Sequence, residues 1–219
     1  MTLVSHVADT VGGVYRPAAF AEDDPAAIVR LARSAKFGHV TIVDDGRLSS
    51  TPMPFLISDD GSVVRGHLAR PNPVWRSAPC RVLLIVPVTD AYVSPSWYPS
   101  KAEHGKVVPT WNYEVVHAHG ELVAHDDPVW VEQLVRELTV DNELDLAQPW
   151  SVDDAPPDYI AQMMRGIVGV ELLVDSLVGK RKLSQNRSAA DTAGIVAGLD
   201  NTHGRGAANI ADAMRVNSE

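Results

Sequence analysis

Two Asp-Asp-Gly triplets, Asp44-Asp45-Gly46 and Asp59-Asp60-Gly61, each stand between short runs rich in β-branched and apolar residues. An Asp-Gly pair suits the tightest hairpin turns, whose central residues need positive φ, so such a pair between two extended runs dictates antiparallel strands joined locally. Residues 38–43, 47–57 and 62–68 are therefore expected to form successive strands. Residues 80–88 add a strand of Val, Leu and Ile, and residues 110–125 read as another. Residues 166–178 alternate Ile167, Gly169, Glu171 and Val174 with apolar partners, the period of a strand. Strands this long and this consecutive leave no room for βαβ units. The expected fold class is α+β, a single domain built on an antiparallel barrel with flanking helices.

The helices are signalled separately. Asp23 and Asp24 precede Pro25, and Ile28, Leu31 and Ala35 then recur at helical spacing to about residue 36. Residues 128–144 carry Val131, Leu134, Val135 and Leu138 on one face, and residues 157–164 repeat the pattern more briefly. Residues 1–14 are small and weakly patterned, an extension before a barrel domain at 15–200. Residues 201–219 read as a tail with a short helix at 207–214.

The 219 residues, 45% hydrophobic and 21% charged, are enough for a sizeable core. A formal charge of -9 works against a broad grip on nucleic acid, and no helix-turn-helix pattern is present, so direct DNA binding is doubtful. The longest apolar run, about seven residues at 82–88, is far short of a membrane span, and no basic-then-apolar leader opens the chain. The lone Cys80 excludes an internal disulfide and agrees with a cytoplasmic location. His117 and His119 share one strand face, but no third ligand completes a metal site. Elbow, zincin, phosphate-loop and Rossmann fingerprints are all lacking.

Against the acidic background, Lys180-Arg181-Lys182-Leu183-Ser184-Gln185-Asn186-Arg187 gathers four cations beside hydroxyl and amide groups at the end of an apolar strand. That combination suits a phosphate or carboxylate; it also suits a solvated strand end before a helix capped by Ser188. Gly66-His67-Leu68-Ala69-Arg70-Pro71-Asn72-Pro73-Val74-Trp75 ends another strand. Asn72 before Pro73 is accounted for as a helix cap. His67 is either a satisfied structural histidine or, with Arg70 beside it, a cofactor contact. In residues 91–101, Tyr92, Trp97, three serines and Lys101 are held by Pro95 and Pro99 in what reads as a rigid extended loop, with aromatic faces for stacking and polar groups for phosphate oxygens. Val108-Pro109-Thr110-Trp111-Asn112-Tyr113 places more aromatics at a strand start.

Taken in order and at this spacing, GHLARPNPVW, AYVSPSWYPSK, VVPTWNY and GKRKLSQNR resemble the PaiB family of FMN-binding negative transcriptional regulators. The resemblance spans roughly residues 15–199. It implies a split β-barrel of the pyridoxine-phosphate oxidase type, a homodimer, and flavin at the subunit interface. Carried over by motif, Arg70, Lys101, Lys182 and Ser184 are candidates for the FMN phosphate, and Trp97, Trp111 and Asn112 for ring or ribityl contacts. Gln185 belongs to the same motif. The chain departs from the family's pattern where Thr51 replaces a His, and where Val86-Pro87-Val88-Thr89-Asp90 replaces Gly-Pro-His.

The resemblance thus implies an FMN-binding regulator acting without a DNA-binding motif of its own. An oxidoreductase using FMN or a deazaflavin is an alternative that needs no dedicated acid or base. A third is haem binding, because proteins resembling this family include haem-dependent piperazate synthases; His67 would be the axial ligand. The retained Ser-Trp-Tyr-Pro-Ser-Lys and Lys-Leu-Ser-Gln-Asn segments place haem behind flavin.

Overall fold

The computed structural model describes residues 10–11, 14–204 and 206–217. Most of the expected N-terminal extension, residues 1–9 and 12–13, lies outside the described residues. A short ribbon pairs β1 (Thr10–Val11) with β2 (Val14–Tyr15). The remaining elements follow as β3 (Ala21–Glu22), α1 (Pro25–Ala35), β4 (Phe37–Asp44), β5 (Arg47–Ile57), β6 (Val63–Ala69), β7 (Cys80–Val93), α2 (Ser100–His104), β8 (Thr110–His125), α3 (Pro128–Glu143), α4 (Pro157–Met164), β9 (Ile167–Lys182), α5 (Ala189–Asp200) and α6 (Ala207–Val216). The main sheet has the order β3-β9-β6-β5-β4-β7-β8, and β8 pairs again with β9, which closes the sheet on itself. No helix among the described residues is long and apolar enough to cross a membrane.

The contacts divide the chain into two compact units. The central unit comprises Ala32–Val86 and His117–Leu177; the terminal unit comprises the chain up to Leu31, Pro87–Val116, and everything from Val178 on.

In the central unit, Asp44 pairs with Arg47, which leaves Asp45 and Gly46 as a two-residue loop with φ of 47° and 74°. Both central residues of a type I′ turn require this left-handed geometry. At the second turn the Asp60 carboxylate accepts from Ser58 Oγ at 2.7 Å, the Ser62 amide at 3.0 Å and Ser62 Oγ at 2.7 Å. These bonds hold its carboxyl down to about 2. Alternate residues face inward: Val40 and Ile42 on β4, Met53 and Phe55 on β5, Val168 and Val170 on β9. α3, capped by Asp127, buries Val131, Leu134 and Leu138 at helical spacing. Each such side chain contributes about 1.5–3 kcal/mol.

The core of the terminal unit is a cluster of Ala91, Val93, Tyr98, Leu183, Ile195, Leu199, Ala207, Ile210, Ala211 and Met214, with Trp97 packed against it. Four of these come from α6 and two, Ile195 and Leu199, from α5, whose start at Ser188 is the cap that the sequence offers as one reading of the basic segment. The stretch expected as an extended loop instead folds into a 3-10 turn, Pro95–Trp97, and α2, because Ser94 accepts from the Ser96 amide, Pro95 opens the turn, and Pro99 stands at the cap position before α2. β7 and β9 run five and four residues past their expected ends at 88 and 178.

Candidate functional site

Seven of the sequence-derived candidates, Trp97, Lys101, Trp111, Asn112, Lys182, Ser184 and Gln185, fall in the terminal unit, and His67 and Arg70 in the central one. The densest chemistry lies at the end of β9. Lys180 and Lys182 are two residues apart on a strand and so share a face. Lys180 is 8% exposed; its Nζ donates to the Tyr15 carbonyl at 2.8 Å and stands 5.2 Å and 5.4 Å from the ring centres of Tyr15 and Tyr113. Lys182 Nζ donates to Thr110 Oγ1 at 2.6 Å and to the Trp111 carbonyl at 2.7 Å, and lies 5.8 Å from the Tyr113 ring centre.

Arg181, between them, points the other way and is neutralised by Glu114 at 2.6 Å and Glu22 at 3.4 Å. Among the described residues, no carboxylate forms an ion pair with Lys180, Lys182 or Arg187. The Arg187 guanidinium instead lies 5.0 Å over the Tyr98 ring. Burial, then the positive charges of Lys180 and Arg187, push the Lys182 ammonium below its ordinary value. The arrangement is a partly buried cluster of cations, of the kind that suits an anionic group.

Ser184 follows this cluster with φ of 64°, left-handed for a residue with a Cβ, an arrangement that costs about 1–3 kcal/mol unless its surroundings enforce it. What enforces it is a buried chain of contacts: Ser184 Oγ donates to Asn112 Oδ1 at 3.0 Å, and Asn112 Nδ2 reaches Met214 Sδ at 3.4 Å. Gln185 closes over the strand end, accepting from the Leu183 amide at 2.8 Å and donating to the Arg181 carbonyl at 2.6 Å. Trp111, 53% exposed, meets Tyr92, 46% exposed, edge to face at 6.0 Å. These two present open aromatic surface.

Trp97 and Lys101 sit on the serine-rich segment. Trp97 lays its indole against Gly198 of α5, while Lys101 Nζ donates to Ser96 Oγ at 3.2 Å. That segment is fastened to α5 by Asp191, which accepts from the Ser100 amide at 3.1 Å and Ser100 Oγ at 2.9 Å.

In the central unit, His67 lies on β6 with a largely buried imidazole that burial holds below its ordinary pKa, and Nδ1 has no hydrogen-bond partner. Arg70 donates to both oxygens of Asp126, at 3.0 Å and 2.5 Å, and to the carbonyls of Arg165 and Ile167. Asn72 caps the 3-10 turn Pro73–Ser77 by accepting from the Val74 amide, and its Nδ2 donates to Thr51 Oγ1 at 3.1 Å. Thr51, one of the positions where the chain departs from its family's pattern, is thus a partner of the cap.

The structure brings Lys182 onto Trp111, and Ser184 onto Asn112. It also brings to the site Lys180, Arg187, Tyr92 and Tyr113, which lie in the four motifs but are given no individual role by the resemblance. The parity of Lys180 with Lys182 is a readable signal for the first of these. The aromatic partners come from β7 and β8, and nothing local in the sequence pairs them with β9.

The family model described as "Putative FMN-binding domain" matches residues 14–176. A Bacillus subtilis protein named protease synthase and sporulation protein PAI 2 is 30% identical over 208 residues, covering 92% of this chain and 96% of that one. An uncharacterized protein of Emericella nidulans is 29% identical, covering 94% and 98%. Among solved structures, the flavocytochrome Anf3 from Azotobacter vinelandii matches with a TM-score of 0.58 at 15% identity over 85% of this chain and 78% of its own. The FAD and haem binding protein from Mycobacterium smegmatis matches at 0.50 with 13% identity, over 82% and 78%. Such low identities speak to the fold, the antiparallel split barrel. With the family model matching most of its length and PAI 2 related along nearly all of it, the chain belongs to the PaiB-type FMN-binding family.

Proposed function

We propose that this chain holds FMN through the terminal unit and acts as a homodimeric negative regulator of transcription that does not itself grip DNA. One observation carries the flavin reading: in a chain of net charge -9, Lys180, Lys182 and Arg187 cluster, and among the described residues none of the three forms an ion pair with a carboxylate, Asp191 alone feeling the charge of Arg187. A phosphate monoester fits this donor set, because its two charges would offset both the burial and the neighbouring cations that depress Lys182. Trp111 and Tyr92 offer faces to a planar ring, and the buried Ser184–Asn112 pair fixes the strand end behind the cations. Bound FMN supplies one- and two-electron redox chemistry; the chain supplies the clamp, the aromatic surface and the dry wall. The name of PAI 2 supports a regulatory output, and the acidic charge supports an indirect one.

The test is a titration of the apoprotein with FMN followed by flavin fluorescence. Lys182→Ala should weaken binding by about 1–3 kcal/mol, roughly five- to 150-fold. Unchanged affinity removes the phosphate clamp. A sedimentation profile of a single-copy species with FMN bound would remove the homodimer.

A second reading is favoured by His67, a neutral imidazole with an unpartnered Nδ1. A haem iron takes such a ligand, and two neighbours bear names that refer to flavin and haem together. Reconstitution with haem and with FMN separates the two: His67→Ala should abolish a Soret band while leaving a flavin spectrum in place.

A further inference from the structure

The segment from α3 through α4 carries a chemistry that the flavin reading does not use. Residues 137–164 contain seven carboxylates, Glu137, Asp141, Glu143, Asp145, Asp153, Asp154 and Asp158, and no Lys, Arg or His. Three of them are met by cations from elsewhere in the central unit: Glu137 by Arg65, Asp141 by Lys36, and Asp153 by Arg136. Among the described residues the other four have no ion-pair partner. The same stretch exposes Val140, Leu144, Leu146 and Trp150, each between 46% and 72% accessible. Large apolar side chains clustered this way mark an interaction surface more often than scattered ones do.

Two clefts shape this surface. One, of about 520 Å³, is lined by Val140, Leu144 and Trp150 together with Glu143; the other, of about 700 Å³, runs past Ile160 and Met164 and carries Glu132 and Arg165 as well, so that its charges balance. Arg136, Val152 and Asp153 border both. The rim is held in place: Glu143 accepts from the Trp150 amide at 2.8 Å, and Ser151 and Asp154 form a reciprocal capping box. A fixed rim lowers the ordering cost of binding.

We infer that the cleft at Leu144 and Trp150, set in this acidic stretch of the central unit, docks a basic amphipathic helix of a partner protein. Charge selects the occupant. A nucleic acid or an anionic membrane would be repelled by the unpaired carboxylates, and a second copy applied face to face would set carboxylate against carboxylate. A helix with Leu on one face and Lys on the flanks meets both the apolar floor and the charged rim. The inference stands apart from the flavin reading and fails or survives independently of it.

The probe is a fluorescently labelled Leu/Lys peptide about five turns long, compared with an isomer of the same composition whose leucines are spread around the helix. With the FMN-loaded full chain, the amphipathic peptide should bind saturably and about tenfold or more tighter than the isomer, as expected for burial of even one large side chain. Leu144→Ser/Trp150→Ser should erase that advantage, and Asp145→Asn, next to Leu144, should weaken binding and flatten its salt dependence. A far-ultraviolet circular dichroism spectrum and a urea midpoint close to those of the parent show that each variant is folded. Equal binding of both peptides, or unchanged affinity in Leu144→Ser/Trp150→Ser, overturns the inference. So does a sedimentation experiment in which that double variant converts a dimer to a monomer, because the face would then be an interface between copies.

Discussion

Replacing Gly198 by alanine tests the packing of the terminal unit with a sign that helix propensity alone gets wrong. In the interior of an exposed helix, glycine is about 1 kcal/mol less favourable than alanine, so the exchange ordinarily stabilises. Here a Cβ at residue 198 would stand 2.2 Å, 2.4 Å and 2.5 Å from Cδ2, Cγ and Cε2 of Trp97. These atoms belong to the root and middle of the indole, and ordinary contact begins near 3.4 Å. The ring would have to retreat by about an ångström. Its backbone cannot follow freely, because the Trp97 carbonyl is itself packed where a Cβ on Gly194 would fall, 2.1 Å away. Overpacking of this extent costs about 3 kcal/mol, the upper part of the usual range, which leaves a net loss of about 2 kcal/mol. For a chain of this length the unfolding midpoint should fall by roughly 4–8 °C. Trp97→Ala should itself cost about 3 kcal/mol or more. In that background Gly198→Ala should reverse sign and stabilise by up to about 1 kcal/mol. Urea unfolding followed by far-ultraviolet circular dichroism reads all four proteins. A Gly198→Ala variant more stable than the parent, or an effect of the same size in both backgrounds, would refute the reasoning.

His67 has a folded-state pKa below the ordinary 6.5, through burial, so below that pH the unfolded chain takes up a proton that the folded chain does not. Stability should therefore be undiminished above about pH 6.5 and fall on acidification, and His67→Asn should flatten the slope of urea midpoint between about pH 7 and 5; an unchanged slope would count against this. Glu114 is buried and pairs with Arg181 at 2.6 Å. Glu114→Ala should destabilise by about 3 kcal/mol by leaving Arg181 with the longer contact to Glu22 alone, and a loss under about 1 kcal/mol would show that the pair is solvated.

What could be read from the sequence was mostly what local physics decides. The Asp45-Gly46 loop, the Asn72 cap before Pro73 and the periodicity of α3 depend on neighbours within a few residues, and each forms where the pattern placed it. The Ser188 cap of α5 was legible, but the length and partner of the helix were not, because its small residues and two glycines give no apolar stripe; Trp97 packs on those glycines, a contact nearly 100 residues away in sequence. The extensions of β7 and β9 escaped for a related reason. Asp90, Gly179 and the lysines from Lys180 on are poor strand formers alone, and pairing carries them. In the site, the cationic motif was visible, but its lack of counter-charge was not. That property emerges only when Glu22 and Glu114 are both seen on the side of Arg181.

The buried cluster of the terminal unit bears on how this fold can be cut and recombined. The family match ends at residue 176, yet of its ten members only Ala91, Val93 and Tyr98 precede that point. The other seven, from Leu183 to Met214, lie beyond it. The segment that the family model matches is therefore shorter than the segment that completes a core. A chimera joined at the end of that match would lack most of the side chains that bury its own serine-rich segment; a working graft must extend through α6.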